Sequence, residues 1–391
     1  MLKKRMKRSF IIYLLLVLLL LSQNRSDIVT SQISLLDSLD LVNRSIAQNY
    51  TVHNPIYATN DGQLAAVASN GTGTIADPFI IADWNISGSI SNGIYISGTT
   101  KYFRIENCWI SNSVYHGIHI DNVISGTTSI TNNTCINNNG NGIYFGYSGS
   151  TNVVNNTCNS NDGAGIYLRE SANSAITNNI CNNNEEGGIH LGYSTNSSLF
   201  NNICRTNYNG INLQHSGSST VTNNTCINNY NGIYISNSGS MIVVNNTCNT
   251  NFNGINIGNS VSSILANNTS DNNFYGIFLV NSEFSIITNN TFVNDGLVLW
   301  TLSKEEFFTY TISNNIVNNL PLGYFENLTD STVTESYGQL ILVNCNNTLV
   351  KDKTYSNTSI GIALYYCFKS ILVNNTCNSN YHGIYLRDSS V

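Results

Sequence analysis

Residues 223–236 read NNTCINNYNGIYIS, and versions of this phrase return along most of the chain. Six residues after Cys226 comes Gly232, and the Gly-Ile pair opens a short run, Gly-Ile-Tyr-Ile. In extended backbone, successive side chains point to opposite sides. Ile233 and Ile235 therefore face one way and Tyr234 the other. The asparagines on either side of the cysteine supply turn chemistry. The phrase reads as two short strands joined by tight corners.

The Gly-Ile glycines are Gly93, Gly117, Gly142, Gly165, Gly188, Gly210, Gly232, Gly254 and Gly276, at steps of 24, 25, 23, 23, 22, 22, 22 and 22. Gly296 follows after 20, and Gly361 and Gly383 resume a step of 22. A fixed period of this size marks a solenoid. No apolar stripe of helical period survives a full repeat, and the leucine pattern of leucine-rich repeats is missing. Short strands with Asn and Gly corners predict an all-β fold, a parallel β-helix with coils of ~22–23 residues stacked about 4.8 Å apart.

Stacking turns each repeat position into a column. Cys158, Cys181, Cys204, Cys226 and Cys248 lie 16 residues after a Gly-Ile glycine, as do Ser270, Phe292 and Cys377. A phenylalanine in the slot makes it apolar and inward, and buried free cysteine behaves as a small hydrophobe. In-register neighbours hold their Cβ atoms slightly beyond disulfide range, and a line of thiols does not converge on a metal. Cys345 and Cys367 lie outside this column and are the likelier pair for a separate role. Serines six after the glycine (Ser216, Ser238 and their equivalents) form a second column. Asparagines three after the cysteine slot (Asn207, Asn229, Asn251) form a third, suited to hydrogen bonding along the axis.

Composition limits the function. Of the 391 residues, 68 are asparagine and only 10% are charged, against a usual quarter. The net charge is −6, and five of the 16 basic residues fall in the first eight positions. The remaining balance, 11 basic against 22 acidic, is −11 and argues against nucleic acid. MLKKRMKR followed by FIIYLLLVLLLL has the form of a secretory signal or N-terminal anchor, over 1–22. Export to the periplasm, the cell surface or the medium is expected, with membrane contact only through that segment. Residues 27–90 are expected to hold an N-terminal cap and the entry to the first coil, with a short amphipathic turn at 61–68. Coils are expected over 91–299, an interruption over 300–337, and further coils over 338–391. The last coil carries no cap of its own, so an end-to-end or C-terminal partner is expected there.

The repeat I-T-N-N-x-C-x-x-N-x-x-G-I-x-L, over about 91–299 and 338–391, resembles the right-handed parallel β-helix repeats of the pectin-lyase-like superfamily, and within it the NosD-like proteins. GTGTIADPFII at 71–81 is similar to the family's glycine-rich entry into the first coil. NNLPLGY at 318–324, with YGQLILVNC at 337–345, is similar to the interruption that NosD-like proteins carry between coil blocks. The resemblance implies a right-handed helix. It leaves function open, because the superfamily includes polysaccharide lyases, hydrolases, epimerases, phage tailspikes and surface proteins.

The residues bear on three chemistries. Copper, which the NosD resemblance suggests, needs clustered Met, His or Cys, and the six histidines are scattered, so neither metal nor cofactor is expected. Asp162 and Glu185, with Glu186 beside the second, sit three before glycines of adjacent coils, roughly 5 Å apart in register and near the spacing of a retaining glycosidase. They serve equally well as solvated corner residues. Arg169 and Arg205 are near in sequence, and Glu305 and Glu306 lie in the interruption, but no set is complete. Tyr208, Tyr230, Phe252 and Phe274 lie two before the glycine on consecutive coils, and Tyr381 repeats the position. Tyr95, His119, Tyr144, Tyr167 and His190, with Tyr234 and Phe278 beyond, lie two after it. Exposed rings along a solenoid can stack on sugars, or can simply brace neighbouring strands. The favoured expectation is a surface or scaffold protein binding polysaccharide or another cell-surface polymer along its outer face. A polysaccharide lyase, hydrolase or epimerase is the alternative, and a NosD-like accessory to copper-centre assembly the third reading.

Overall fold

The computed structural model describes residues 50–390. The segment expected as a signal, and the beginning of the expected N-terminal cap, lie outside the described residues. Three long sheets of mostly parallel strands run along the axis, and a fourth, of strands Thr332–Val333, Leu349–Lys351 and Ile371–Val373, lies in the terminal block. An 11-stranded sheet carries the Gly-Ile strands from Ile56–Ala58 to Leu297–Trp300. A second 11-stranded sheet runs from Phe79–Ala82 to Thr311–Ser313, and the sheet that carries the cysteines has 16 strands, Thr51–Val52 to His382–Arg387. Each coil contributes one short strand to each sheet, in register: Ile233 pairs with Ile211 and Ile255, and Cys226 with Cys204 and Cys248.

The phrase at 223–236 is realised residue by residue. Asn223 and Asn228 turn the corners with left-handed backbone, φ 58° and 57°. That conformation is tolerated best by glycine and asparagine. The asparagine after each is buried. Asn229 accepts from the backbone N–H and the Nδ2 of Asn207, and its own Nδ2 donates to Asn251 Oδ1 and to the Cys204 carbonyl. Asn224 does the same in a second amide ladder, two residues before the cysteine, from Asn133 to Asn315. Buried corner amides are thereby satisfied coil after coil. Gly232 is required by close approach: a Cβ there would stand 2.5 Å from the Gly254 carbonyl oxygen.

The cysteine slot is inward. Cys135 through Cys248 and Phe292 are fully buried, and none of the cysteines is in a disulfide. Burial pushes the thiols of Cys135, Cys158 and Cys181 well above the usual range, so they stay protonated and inert. Helix α1, Asp61–Val67, is capped by Asn60, whose side chain accepts from the Gln63 N–H; it buries Leu64 at the first coils.

The end of the molecule differs from a simple resumption of the period. After the short helix α2, Lys304–Phe307, strand Ile316–Val317 pairs antiparallel with Leu320–Glu326. Asn318 and Asn319 make the reversal with positive φ. The Gly-Ile strands Ile360–Tyr365 and His382–Arg387 therefore join the 16-stranded sheet and do not extend the Gly-Ile sheet. Cys377 consequently does not continue the cysteine column, and Tyr381 reaches the end of its column from the terminal block, tilted 54° against Phe274. The terminal block has its own core around Leu340, Cys345, Tyr355 and Cys367. It closes the end of the Gly-Ile sheet: Gln339 exchanges two hydrogen bonds with Leu297, and the Tyr365 hydroxyl donates to the Leu299 carbonyl.

Candidate functional site on the outer Gly-Ile face

One row of rings covers the outer face of the Gly-Ile sheet through six consecutive coils: Tyr57, Tyr95, His119, Tyr144, Tyr167 and His190 are direct register neighbours. Tyr57 and Tyr95 stack at 4.9 Å, and Tyr167 and His190 at 4.3 Å. His119 stands edge-on between Tyr95 and Tyr144, at 4.9 and 4.8 Å. Beyond His190 the row changes character, because Tyr234 has Asn212 and Asn256 as its register neighbours.

Around Tyr144 the row becomes a polar cluster. His116 stacks on it at 4.9 Å with rings nearly parallel. The Asn141 backbone N–H donates to His116 Nδ1 at 2.9 Å, which fixes the neutral tautomer with its proton on Nε2. Burial, aided by the neighbouring His119, pulls the His116 pKa down to about 4. Burial alone does the same to His190. Burial raises the Tyr144 phenol, and Arg169, within hydrogen-bonding reach of it, acts in the opposite direction. Asp121 pairs in register with Gly146 on the same face. Counting histidines by column hides this cluster, because His116 lies in the corner before strand Ile118–Asp121, which carries His119, and so belongs to a different column. Counting by sheet face would have found it.

The other expected residues are placed elsewhere. Asp162 and Glu185 occupy equivalent positions on adjacent coils, their N–H groups donating to Asn138 and Asn161 carbonyls. Both are half-buried and Glu186 is exposed. They enter strands Ala164–Arg169 and Gly187–Gly192, whereas Arg169 lies at the far end of its strand, roughly 20 Å away at extended spacing. Arg205 is on the cysteine sheet. Glu306 accepts from the Leu302 N–H at the start of α2. Tyr208, Tyr230, Phe252 and Phe274 form a near-parallel stack with spacings of 5.2, 5.0 and 4.6 Å, so their faces cover one another and their edges look outward. Tyr381 of the terminal block closes the stack against Phe274 at 3.9 Å.

The comparisons with known proteins agree with this architecture. The model described as "Right handed beta helix region" matches residues 65–226, and that described as "Periplasmic copper-binding protein (NosD)" matches 188–328. No curated protein matches. Among solved structures, the A-module of the Azotobacter vinelandii mannuronan C-5 epimerase AlgE4 is 13% identical with a TM-score of 0.50, over 88% of this chain and 99% of that one. PfbA, a surface adhesin of Streptococcus pneumoniae, is 10% identical with a TM-score of 0.35, over 77% and 85%. The chain is a right-handed parallel β-helix protein. Over residues 188–328 it is similar to the NosD family.

Copper, named in that family description, needs clustered His, Met or Cys ligands. Among the described residues, no group of three or more His, Cys, Asp or Glu stands where it could hold a metal ion. The cysteines are buried in a line, and His116 Nδ1 is already committed to the Asn141 N–H. The described residues do not fit copper, and no chemistry is routed through it. Among the described residues no helix is long and apolar enough to cross a membrane.

Proposed function

We infer that the protein is exported and binds a polysaccharide or another surface polymer along the outer face of its Gly-Ile sheet. The observation that carries this is the row from Tyr57 to His190, one ring per coil on consecutive coils. At the inter-strand spacing of about 4.8 Å, the row spans roughly 24 Å. Apolar ring bodies with polar tips suit the alternating apolar and hydroxyl faces of sugars. Tyr144 and Tyr167 are its fourth and fifth members. The stack Tyr208, Tyr230, Phe252 and Phe274 flanks it further along the axis and contributes edges. A glycan array tests the reading. Wild type should bind a subset of polymers, and Tyr144→Ala/Tyr167→Ala should lose that binding with the fold intact. Equal binding by the two proteins would exclude this face.

A second reading, catalysis on the same polymer, is favoured by one observation: Asp162 and Glu185 stand at equivalent positions on adjacent coils. It predicts new reducing ends or unsaturated products from a polymer panel. Activity that survives Asp162→Asn/Glu185→Gln would remove this pair from consideration.

A further inference from the structure

Each coil leaves the Gly-Ile sheet through a corner residue with left-handed backbone. In flanking coils this residue is glycine or asparagine: Gly98 and Asn122 before, Asn237 and Asn259 after. On the four coils between, it is Tyr147, Glu170, Tyr193 and His215, with φ of 50°, 50°, 54° and 51°. Bulky side chains are disfavoured there, and the neighbouring coils show that asparagine serves the corner equally well. A run of unfavourable residues at a position with an easy alternative points to function, not folding.

Three of these coils carry the last three rings of the row, Tyr144, Tyr167 and His190, and the fourth carries Asn212 at that position. Tyr144 precedes Tyr147 by three residues, and His190 precedes Tyr193 by three. Between the two rows lie, in register, Gly146, Arg169, Gly192 and Gln214. A Cβ at Gly146 would stand 3.2 Å from the Tyr144 ring, and one at Gly192 would stand 3.3 Å from the Tyr167 hydroxyl. The sheet tyrosines therefore lean over glycine backbone, and the corner rings stand beyond them. Tyr147 and Tyr193 are 47% and 60% exposed. Tyr193 is stacked on His215 at 4.6 Å, and the Arg169 guanidinium lies 5.9 Å over the Tyr147 ring.

We propose that the strip between the two ring rows is a saccharide subsite, that Tyr147, Tyr193 and His215 form its second wall, and that its ligand is a run of uncharged sugar units. This rests on the reading that the outer Gly-Ile face binds a polymer. The two ring rows contact the apolar faces of the sugars, and Arg169, Glu170 and Asp121 supply donors and acceptors to hydroxyl groups. The charge balance selects against polyuronates. Arg169 is already paired with Glu170 at 3.7 Å. Asp121 shares the face, and Glu170 stands at the corner beside Arg169. An acidic polymer would enter a field of its own sign.

The test uses the full chain and the triple variant Tyr147→Asn/Tyr193→Asn/His215→Asn. Asparagine is the corner residue elsewhere in this helix, so the variant should fold with an unchanged or higher Tm. Binding is measured on an array of neutral and acidic glycans, then by calorimetry with cellohexaose, mannohexaose and hexagalacturonate. Wild type should bind neutral glycans and discriminate against hexagalacturonate, and the triple variant should lose affinity by about tenfold or more. Binding that survives the triple variant but not Tyr144→Ala/Tyr167→Ala overturns the second wall and leaves the outer-face reading standing. A preference for hexagalacturonate overturns the ligand class. A wild type that binds nothing on the array overturns both readings.

Discussion

Replacing Asp295 by asparagine should stabilise the protein above neutral pH and remove one component of its pH dependence. Asp295 stands where the amide ladder that includes Asn229 ends. Its Oδ2 accepts from Asn273 Nδ2 at 2.7 Å, Ser270 Oγ at 2.9 Å and the Asn273 N–H at 3.1 Å. Its Oδ1 is buried without a partner. Burial pushes the carboxyl up from 3.8 to about 7, against the lowering effect of those hydrogen bonds. A raised acid pKa means the native state holds a proton that the unfolded chain has released. The group's favourable contribution is thus complete below about pH 4, falls by ~1.4 kcal/mol per pH unit, and is gone above about pH 7. Over about three pH units this amounts to about 4 kcal/mol.

The substitution supplies a neutral group of the same shape. The new amide would also reach the Ser270 carbonyl, as Asn273 Nδ2 reaches the Cys248 carbonyl at 2.8 Å, adding about 1 kcal/mol. The variant should therefore exceed wild type by about 3–5 kcal/mol at pH 8 and by about 1 kcal/mol near pH 4. His116 and His190 oppose this slope. Burial pulls both to about 4, so their stability is lost as pH falls from 6.5. The informative quantity is the difference between the two proteins at each pH. Thermal and guanidinium midpoints by circular dichroism between pH 4.5 and 8 supply it, as shifts, because a solenoid need not unfold in one step. Parallel pH profiles for the two proteins would refute the argument.

Three further outcomes follow from the same geometry. Asn229→Ala removes an amide that makes four hydrogen bonds to neighbouring coils, and it should destabilise by about 3–5 kcal/mol, read as a fall in thermal midpoint. A thiol reagent added to native protein should label Cys377, the one cysteine that is not buried, and should reach the other nine only after unfolding. Fast labelling of several thiols would show that the column is accessible. Nitrogen NMR of His116 should show the Nε2–H tautomer and a midpoint near 4, whereas a midpoint near 6.5 would mean that the Asn141 contact is not maintained.

Much of the fold is legible because the repeat encodes it several times over. The step of 22 fixes the register, Phe292 in the cysteine slot shows which face is inward, and the isoleucines of Gly-Ile-x-Ile follow at period two. What the period cannot reveal is direction. Gly361 and Gly383 keep the spacing and the motif, yet their strands pair within the 16-stranded sheet after a reversal at Asn318 and Asn319. The signal was present as two adjacent asparagines before Leu320-Pro321, but it is indistinguishable from the many other Asn pairs that turn corners here. The second amide ladder was hidden in the same way: in NNT the first asparagine turns the chain and the second is buried, and composition cannot separate the two.

The site is less legible than the fold for a physical reason. In a solenoid, one strand presents residues from several columns to one face, and adjacent coils bring distant residues together. A binding surface is therefore written across columns, while a structural ladder is written down one. The stack from Tyr208 to Phe274 is the conspicuous column, and its rings turn their faces to each other. The cluster of His116, His119, Tyr144 and Arg169 is inconspicuous in the sequence, because no two of these residues share both a strand and a column. Its members converge only once the coils are stacked. The same reasoning separates Tyr144 from Tyr234, which hold the same repeat position. The first is surrounded by rings, imidazoles and a guanidinium, and the second has an asparagine on each side. Repeat position sets where a side chain points in this protein. The identity of its neighbours on adjacent coils sets what chemistry it can perform there.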